Sequence, residues 1–398
     1  MALKFIDQVD LTDKKVIARF DFNVPLDKND PSIITDTTRI DEALDTIKYI
    51  LDGGASKLVL MSHLGRPDGK PVEKYSLEPV AKYLAEKLDT DVILSESALD
   101  RSIKTLLGLS ETKVLLLQNV RFHEEEEKND REFAKKLSEY GDIYVNDAFG
   151  AAHRKHASTY EINAFFKNRA YGGLLLKREI TALSKIVESP KTPFVAIVGG
   201  AKVSDKIKII ERLLSNVTHL LIGGAMAYPF LKASGYDIGT SLCNDEDIAL
   251  AKKILREKSG HKIVLPVDHL CSKEFGGEPQ AVENRNIPDG LMGLDIGPKT
   301  LDIYKDKLSG AKTVLWNGPM GLFENENYSK GTFGIAKILS EASSDCFTLV
   351  GGGDSVSAVN KAGLASKMGH VSTGGGASLE FIEKGNLPGI AALRFGLE

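Results

Sequence analysis

Cysteine is scarce in this chain: Cys243, Cys271 and Cys346 are the only ones, widely separated and without CxxC spacing. That pattern excludes a disulfide framework and a cysteine-built zinc site, and it suits a reducing compartment, so a cytoplasmic location is expected. Long apolar runs are also missing. No stretch approaches the roughly 20 apolar residues of a membrane span, and the opening MALKFIDQVDLTDKK places charges where a secretory signal needs an apolar core. A soluble, unprocessed protein is expected. Charge of one sign is not in excess, with 51 Lys and Arg against 55 Asp and Glu. A net charge of −4 provides no global attraction for nucleic acid or anionic lipid, so neither is expected as a partner. Two standard nucleotide signatures, GxGxxG and GxxxxGK[ST], are absent, which argues against a usual dinucleotide fold and a Walker P-loop. Low-complexity segments and short-period repeats are absent too.

What the chain does contain is material for two cores. Its 398 residues exceed the roughly 250 to 300 at which a single core stops growing. Apolar runs at 15–24, 57–63, 91–96, 113–122 and 142–150 alternate with amphipathic stretches such as RIDEALDTIKYILDGG and DREFAKKLSEYG. This is the βαβα rhythm of a parallel sheet. LLLKREITALSKIVESP keeps helical spacing until Pro190 and predicts a helix joining the halves. From Pro193 the rhythm resumes in PFVAIVGG, HLLIGGA, KIVLPVDH, KTVLWNGP, CFTLVGGG and HVSTGGG. Near-continuous apolar strands predict sheets covered on both faces. The expected fold is therefore α/β: two similar-sized, doubly wound, Rossmann-like domains with parallel sheets, over 1–172 and 191–384, joined by a helix over 173–190. The acidic run HEEEEKND at 123–130 is expected to be a solvated helix start.

The two halves end their strands differently. In the second half five of the apolar runs stop in glycine-rich turns, including Gly199, Gly200, Gly351, Gly352, Gly353, Gly374, Gly375 and Gly376. Without a Cβ, such backbone amides can approach a polyphosphate closely where a helix N-terminus follows. One glycine pair is equally well a tight turn; five on one sheet edge point to a nucleotide site assembled from several loops. GGAKVSDK adds Lys202 and Lys206, four apart and adjacent if a helix begins near Val203. Asp354 suits either a Mg²⁺ ligand or the cap of a helix beginning near Ser355. In the first half, nine of thirteen arginines lie before residue 180. Arg19, Asp21 and Asn23 alternate along a strand, SHLGRP carries His63 and Arg66, NVRFH carries Arg121, and AFGAAHRKHAS carries Arg154. Planar guanidinium forks at strand ends suit a small phosphate or carboxylate compound.

Taken together, RFDFNVP, SHLGRP, LLLQNVRFHEEE, NDAFGAAHRKHAS, VGGAKVSDKI, LDIGPKT, LWNGPMGLFE, GGGDS and STGGGASLEF, in this order, resemble phosphoglycerate kinase over essentially the whole chain. The resemblance implies a first domain that holds 3-phosphoglycerate or 1,3-bisphosphoglycerate through Asp21, Asn23, Arg39, His63, Arg66, Arg121 and Arg154. It implies a second domain that holds ADP or ATP through Gly200, Ala201, Lys202, Lys206, Gly293, Asn317, Glu324, Gly351, Gly352, Gly353, Asp354 and Ser355. Glu324 would face the ribose, Asp354 would take Mg²⁺, and Arg39, Lys206, Gly374, Gly375 and Gly376 would serve the transferring group. A C-terminal tail, about 385–398, would return to the first domain, and the protein would be a hinge-bending monomer. Gln118 and Pro229 depart from the family's usual Glu and Thr at the borders of motifs, with no loss of activity expected. Two rival readings are weaker: a nicotinamide-dependent dehydrogenase lacks its GxGxxG, and an inactive kinase-like binding protein would not keep Arg39, Lys206 and Asp354 together.

Overall fold

The structure, a computed structural model, describes residues 3–397. The chain divides into two compact units, Met1–Thr181 with Asn386–Glu398, and Ala182–Gly385. The first contains six strands: β1 (Lys15–Arg19), β2 (Lys57–Met61), β3 (Val92–Leu94), β4 (Val114–Leu116), β5 (Ile143–Asn146) and β6 (Ala170–Gly172). They form one parallel sheet in the order β3-β4-β2-β1-β5-β6. Every residue of β2 is buried, as a strand covered on both faces requires. The helix Thr38–Asp52 buries Ile40, Ala43, Ile47 and Ile50, spaced three or four apart so that one stripe meets the core of Val16, Ala18, Leu58 and Leu60. Truncating Ile47 to Ala there would cost about 2 to 5 kcal/mol by loss of transfer energy and the cavity left behind. The C-terminal helix Pro388–Phe395 belongs to this first unit, where Gly389 N donates to Ala152 O at 2.9 Å.

The second unit contains β7 (Phe194–Val198), β8 (His219–Ile222), β9 (Ile263–Val264), β10 (His269–Ser272), β11 (Gln280–Val282), β12 (Met292–Ile296), β13 (Thr313–Asn317), β14 (Phe347–Gly351) and β15 (His370–Val371). Six of these make a parallel sheet, β15-β14-β13-β7-β8-β9. A separate antiparallel sheet, β11-β10-β12, was not legible in the sequence. Its strands are three to five residues long and interrupted by Gly276, Gly277 and Pro288, too short for a period of two to stand out. The joining helix runs Leu174–Val187.

Two local expectations are corrected. The helix after GGAK begins at Ile207 with Lys206 as its N-cap, not near Val203, so Lys202 and Lys206 do not share a helical face. The acidic run forms a short helix, Glu124–Glu127, but Glu126 is fully buried rather than solvated. Its inward turn is explained by the partners it finds, described below.

Candidate active site

In the first unit the chain leaves β1 toward β2 on one side and returns to β5 on the other, so a crevice opens at the carboxyl ends of β1 and β5. Asp21, just past β1, meets the backbone of the β5 loop so closely that a Cβ at Gly150 would lie 2.4 Å from Asp21 Oδ2. Arg39, in the first turn of the helix Thr38–Asp52, donates through Nη1 to Asp21 Oδ2 at 3.2 Å and to Asn23 O at 3.1 Å. Asn23 Oδ1 accepts from Gly65 N at 2.8 Å, which ties the SHLGRP loop to the same place. Gly65 has φ +63°, and a Cβ there would lie 2.3 Å from the Tyr75 ring, so only glycine makes this turn. Arg121 Nη1 donates to Gly65 O at 2.9 Å, and Asn119 supports the loop by donating from Nδ2 to Leu64 O at 2.7 Å. Gln118, the departure noted above, accepts from Leu77 N at 3.0 Å and donates to Ser76 Oγ at 3.1 Å, a supporting role away from the pocket. Arg66 follows Gly65 with its side chain exposed and no hydrogen bond or ion pair among the described residues. Arg154 Nε lies 3.2 Å from His153 Nε2.

The electrostatics of this pocket favour an anion. Burial, followed by Arg19, Arg121 and Arg39, holds the His63 imidazole well below its usual range. His156 is held down to about 3 by burial, then by Arg121, Arg19 and Arg154. Both rings are neutral in a field of guanidinium charge. Arg19 itself is corrected as an anion fork: it is fully buried, and its nitrogens donate to Ser158 Oγ, Phe20 O and His63 Nδ1. All three nitrogens are engaged inside the protein.

In the second unit the chain runs outward from β7 to β9, then returns to β13 beside β7, so the switch point lies between β7 and β13. There Lys206 Nζ donates to Gly199 O at 2.7 Å and to Asn317 Oδ1 at 2.7 Å. Burial lowers the Lys206 amine to about 8, against an opposing pull from Asp354 and then Asp205. Gly318 has φ +99° and a Cβ there would fall 2.2 Å from Gly199 O, so the β7 and β13 turns interlock through bare backbone. The buried Asn317 Nδ2 has no hydrogen-bond partner among the described residues and lies 2.7 Å from where a Gly352 Cβ would be, at the β14 turn. An unmet buried donor at a glycine turn is the feature a phosphate oxygen would satisfy.

Gly352, at φ +87°, caps the helix Gly353–Lys361, and Gly375, at φ +52°, caps the helix Gly376–Lys384. A Cβ at Gly353, Gly375 or Gly376 would meet nothing within 4 Å, so open space lies before both helix N-termini. Asp354 is the second residue of its helix, exposed, with no hydrogen bond or ion pair among the described residues. Ser355 is fully buried and its Oγ accepts from Gly318 N at 2.6 Å, binding the β13 and β14 turns together. Ala201 and Lys202 are exposed in the turn before Lys206. Gly293 lies in β12, where Tyr228 Oη would sit 2.2 Å from an added Cβ, and Glu324 is exposed in the turn after β13. Pro229 occupies the third position of the helix Ala227–Ala233, where its missing N–H costs nothing.

Sequence reasoning missed Gly318, Glu126 and Ser158. The NGP turn was a signal for the first; nothing local separates Glu126 from its three acidic neighbours.

The geometry agrees with what the chain is similar to. A family model described as phosphoglycerate kinase matches residues 6–385. A phosphoglycerate kinase of Anaeromyxobacter sp. (strain Fw109-5) is 54% identical, covering 99% of this chain and 100% of that protein. One from Clostridium perfringens is 49% identical over 98% of both. Among solved structures, phosphoglycerate kinase from Coxiella burnetii has a TM-score of 0.87 at 38% identity, covering 98% of this chain and 99% of that one. That from Pyrococcus horikoshii OT3 has a TM-score of 0.84 at 31% identity, covering 98% of each. With a family match and full-length relatives at this identity, the chain belongs to the phosphoglycerate kinase family.

Proposed function

We propose that the protein catalyses reversible phosphoryl transfer from 1,3-bisphosphoglycerate to ADP, giving 3-phosphoglycerate and ATP. The observation that carries the reading is the contrast between two sheet edges: guanidinium groups and neutral imidazoles on one, glycine amides and the Lys206 amine on the other. Asp21, Asn23, Arg39, His63, Arg66, Arg121 and Arg154 bind the phosphoglycerate. Gly200, Ala201, Lys202, Lys206, Gly293, Asn317, Glu324 and the Gly351–Ser355 turn bind the nucleotide, Ser355 through its backbone. The transferring group passes Arg39, Lys206 and the Gly374, Gly375 and Gly376 amides.

The chemistry asks little of proton transfer. The attacking carboxylate of 3-phosphoglycerate is ionised near pH 7, so no general base is needed, and catalysis reduces to alignment and charge stabilisation. Lys206 and Arg39 stabilise charge spread over the equatorial oxygens, and the glycine amides donate to the same atoms without reorganising. Asp354, an unpaired hard-oxygen donor beside the β14 turn, fits Mg²⁺, which takes one or two carboxylates together with phosphate oxygens and water. When bound, that ion neutralises charge on the nucleotide phosphates. Donor and acceptor must come within near-attack distance, so closure accompanies binding of both ligands and excludes water from the acyl phosphate.

Among the described residues no helix is long and apolar enough to cross a membrane, and the three cysteines are free. A cytoplasmic, monomeric enzyme without nucleic-acid partners completes the proposal. Mixing the protein with ADP, Mg²⁺ and 1,3-bisphosphoglycerate should produce ATP in step with 3-phosphoglycerate; hydrolysis without ATP, or no reaction, refutes it.

A further inference from the structure

Arg19 carries its charge with no solvent exposure, and among the described residues no carboxylate makes a hydrogen bond or ion pair with it. Compensation runs through Ser158, whose Oγ accepts from Arg19 Nε at 2.8 Å and donates to Glu126 Oε1 at 2.5 Å. Ser158 N donates to Glu126 Oε2 at 2.9 Å, so both carboxylate oxygens are bound by one residue. Glu126 and Ser158 are themselves fully buried, and His156 Nδ1 lies 4.0 Å from Glu126 Oε1. Burial pushes the Glu126 carboxyl upward, while Arg19 and then the Ser158 bonds pull it back. On its other side Arg19 Nη2 meets His63 Nδ1 at 3.1 Å. A guanidinium has donors only, so His63 Nδ1 must accept and the neutral ring carries its proton on Nε2. His63 Nδ1 also lies 3.9 Å from Asp21 Oδ1, and Asp21 holds Arg39.

We propose that Glu126 is a positioning residue for phosphoglycerate binding. Acting through Ser158, its carboxylate holds the buried Arg19 charge, and Arg19 fixes His63 as the Nε2–H tautomer that donates to the anionic substrate. The role rests on the assignment of His63 and Arg66 to the phosphoglycerate pocket. A buried cation that loses a compensating carboxylate shifts or admits water, and the imidazole it orients then loses its fixed tautomer. Every residue in this chain of contacts belongs to the first unit, so the effect is confined to one substrate.

The test compares E126Q, S158A and R66A with the parent enzyme. E126Q keeps shape and an acceptor but removes charge, and S158A cuts the relay while leaving both charges in place. Both should raise KM for 3-phosphoglycerate at least tenfold, leave KM for MgATP within twofold, and replace the single Nε2–H ¹⁵N signature of His63 by a tautomer mixture. E126D, which restores the charge, should recover most of the KM loss. Should E126Q fail to fold, S158A decides alone. If both KM values stay within twofold of the parent and the His63 signature is unchanged while R66A raises KM for 3-phosphoglycerate, the pocket stands and the role of Glu126 falls. If R66A also leaves that KM unmoved, the pocket assignment fails and takes this role with it.

Discussion

Replacing Lys206 by methionine removes an ammonium while keeping most of the side-chain volume, and it separates catalysis from stability. Two opposing terms act on the fold. The ammonium gives charged hydrogen bonds to Gly199 O and Asn317 Oδ1, both at 2.7 Å, and each such bond contributes about 1.5 to 3 kcal/mol. Against this, an amine lowered from 10.5 to about 8 by burial costs the fold about 3 kcal/mol to keep charged. The terms partly cancel: the two bonds together give about 3 to 6 kcal/mol, a net of about 0 to 3 kcal/mol remains, and the melting temperature should fall by no more than about 12 °C, at about 2 to 4 °C per kcal/mol in a domain of this size. Catalysis has no such offset. Loss of a preorganised donor at the transferring group typically lowers kcat about 10²- to 10³-fold. Initial rates of ATP formation and a thermal melt on the same sample measure both. Turnover of K206M within tenfold of the parent would falsify the assignment, as would an unfolded variant, since the cancellation would then be wrong. The amine also sets a pH limit: as pH rises through about 8 the free enzyme loses the Lys206 charge. The kcat/KM for nucleotide should therefore fall on that alkaline limb, and K206R should move the limb upward.

G65A should destabilise the protein by about 1 to 3 kcal/mol, because alanine is strained at φ +63° and its methyl meets Tyr75; urea unfolding measures the loss, and an unchanged midpoint would show that the loop relaxes freely. Asp295, raised to about 7 by burial despite bonds from Gly331 N and Ile296 N, binds more protons folded than unfolded between about 4 and 7. Its contribution to stability is thus complete below its unfolded pKa and lost as pH rises through about 7, and D295N should flatten that part of the stability profile; a slope identical to the parent's argues against the shift. D354N should weaken the Mg²⁺ dependence of turnover, raising the half-saturating Mg²⁺ concentration about tenfold or more with little change in melting temperature; an unaltered titration would place the ion elsewhere.

Much of the fold was legible because it is locally encoded. Runs such as LVLM and FVAIV are apolar throughout, as strands covered on both faces must be, and they appear in β2 and β7. Ile40, Ala43, Ile47 and Ile50 announce their helix by spacing alone. The antiparallel sheet escaped because pieces like QAV and HLCS are too short to show a period. In the site, the glycine turns and the arginine loops were visible as residue types, but their partners were not. Arg19 and Arg66 look alike in sequence, yet one is fully buried with every nitrogen engaged and the other is exposed. Ser355 stands beside Asp354 after the glycine turn, yet its hydroxyl is taken by Gly318 N.

The sequence by itself determined the family, the alternation of strands and helices, and the chemistry at each strand end. These follow from side-chain periodicity, glycine's backbone freedom and motif order, all short-range properties. Only the tertiary structure decided which residues meet. It brings Lys206 to Asn317 across 111 positions and Arg19 to Ser158 across 139. It also turns one glutamate of four inward to answer a buried charge. Such encounters depend on sheet order, which sets where each loop emerges, and on the cost of leaving a buried polar group unpaired.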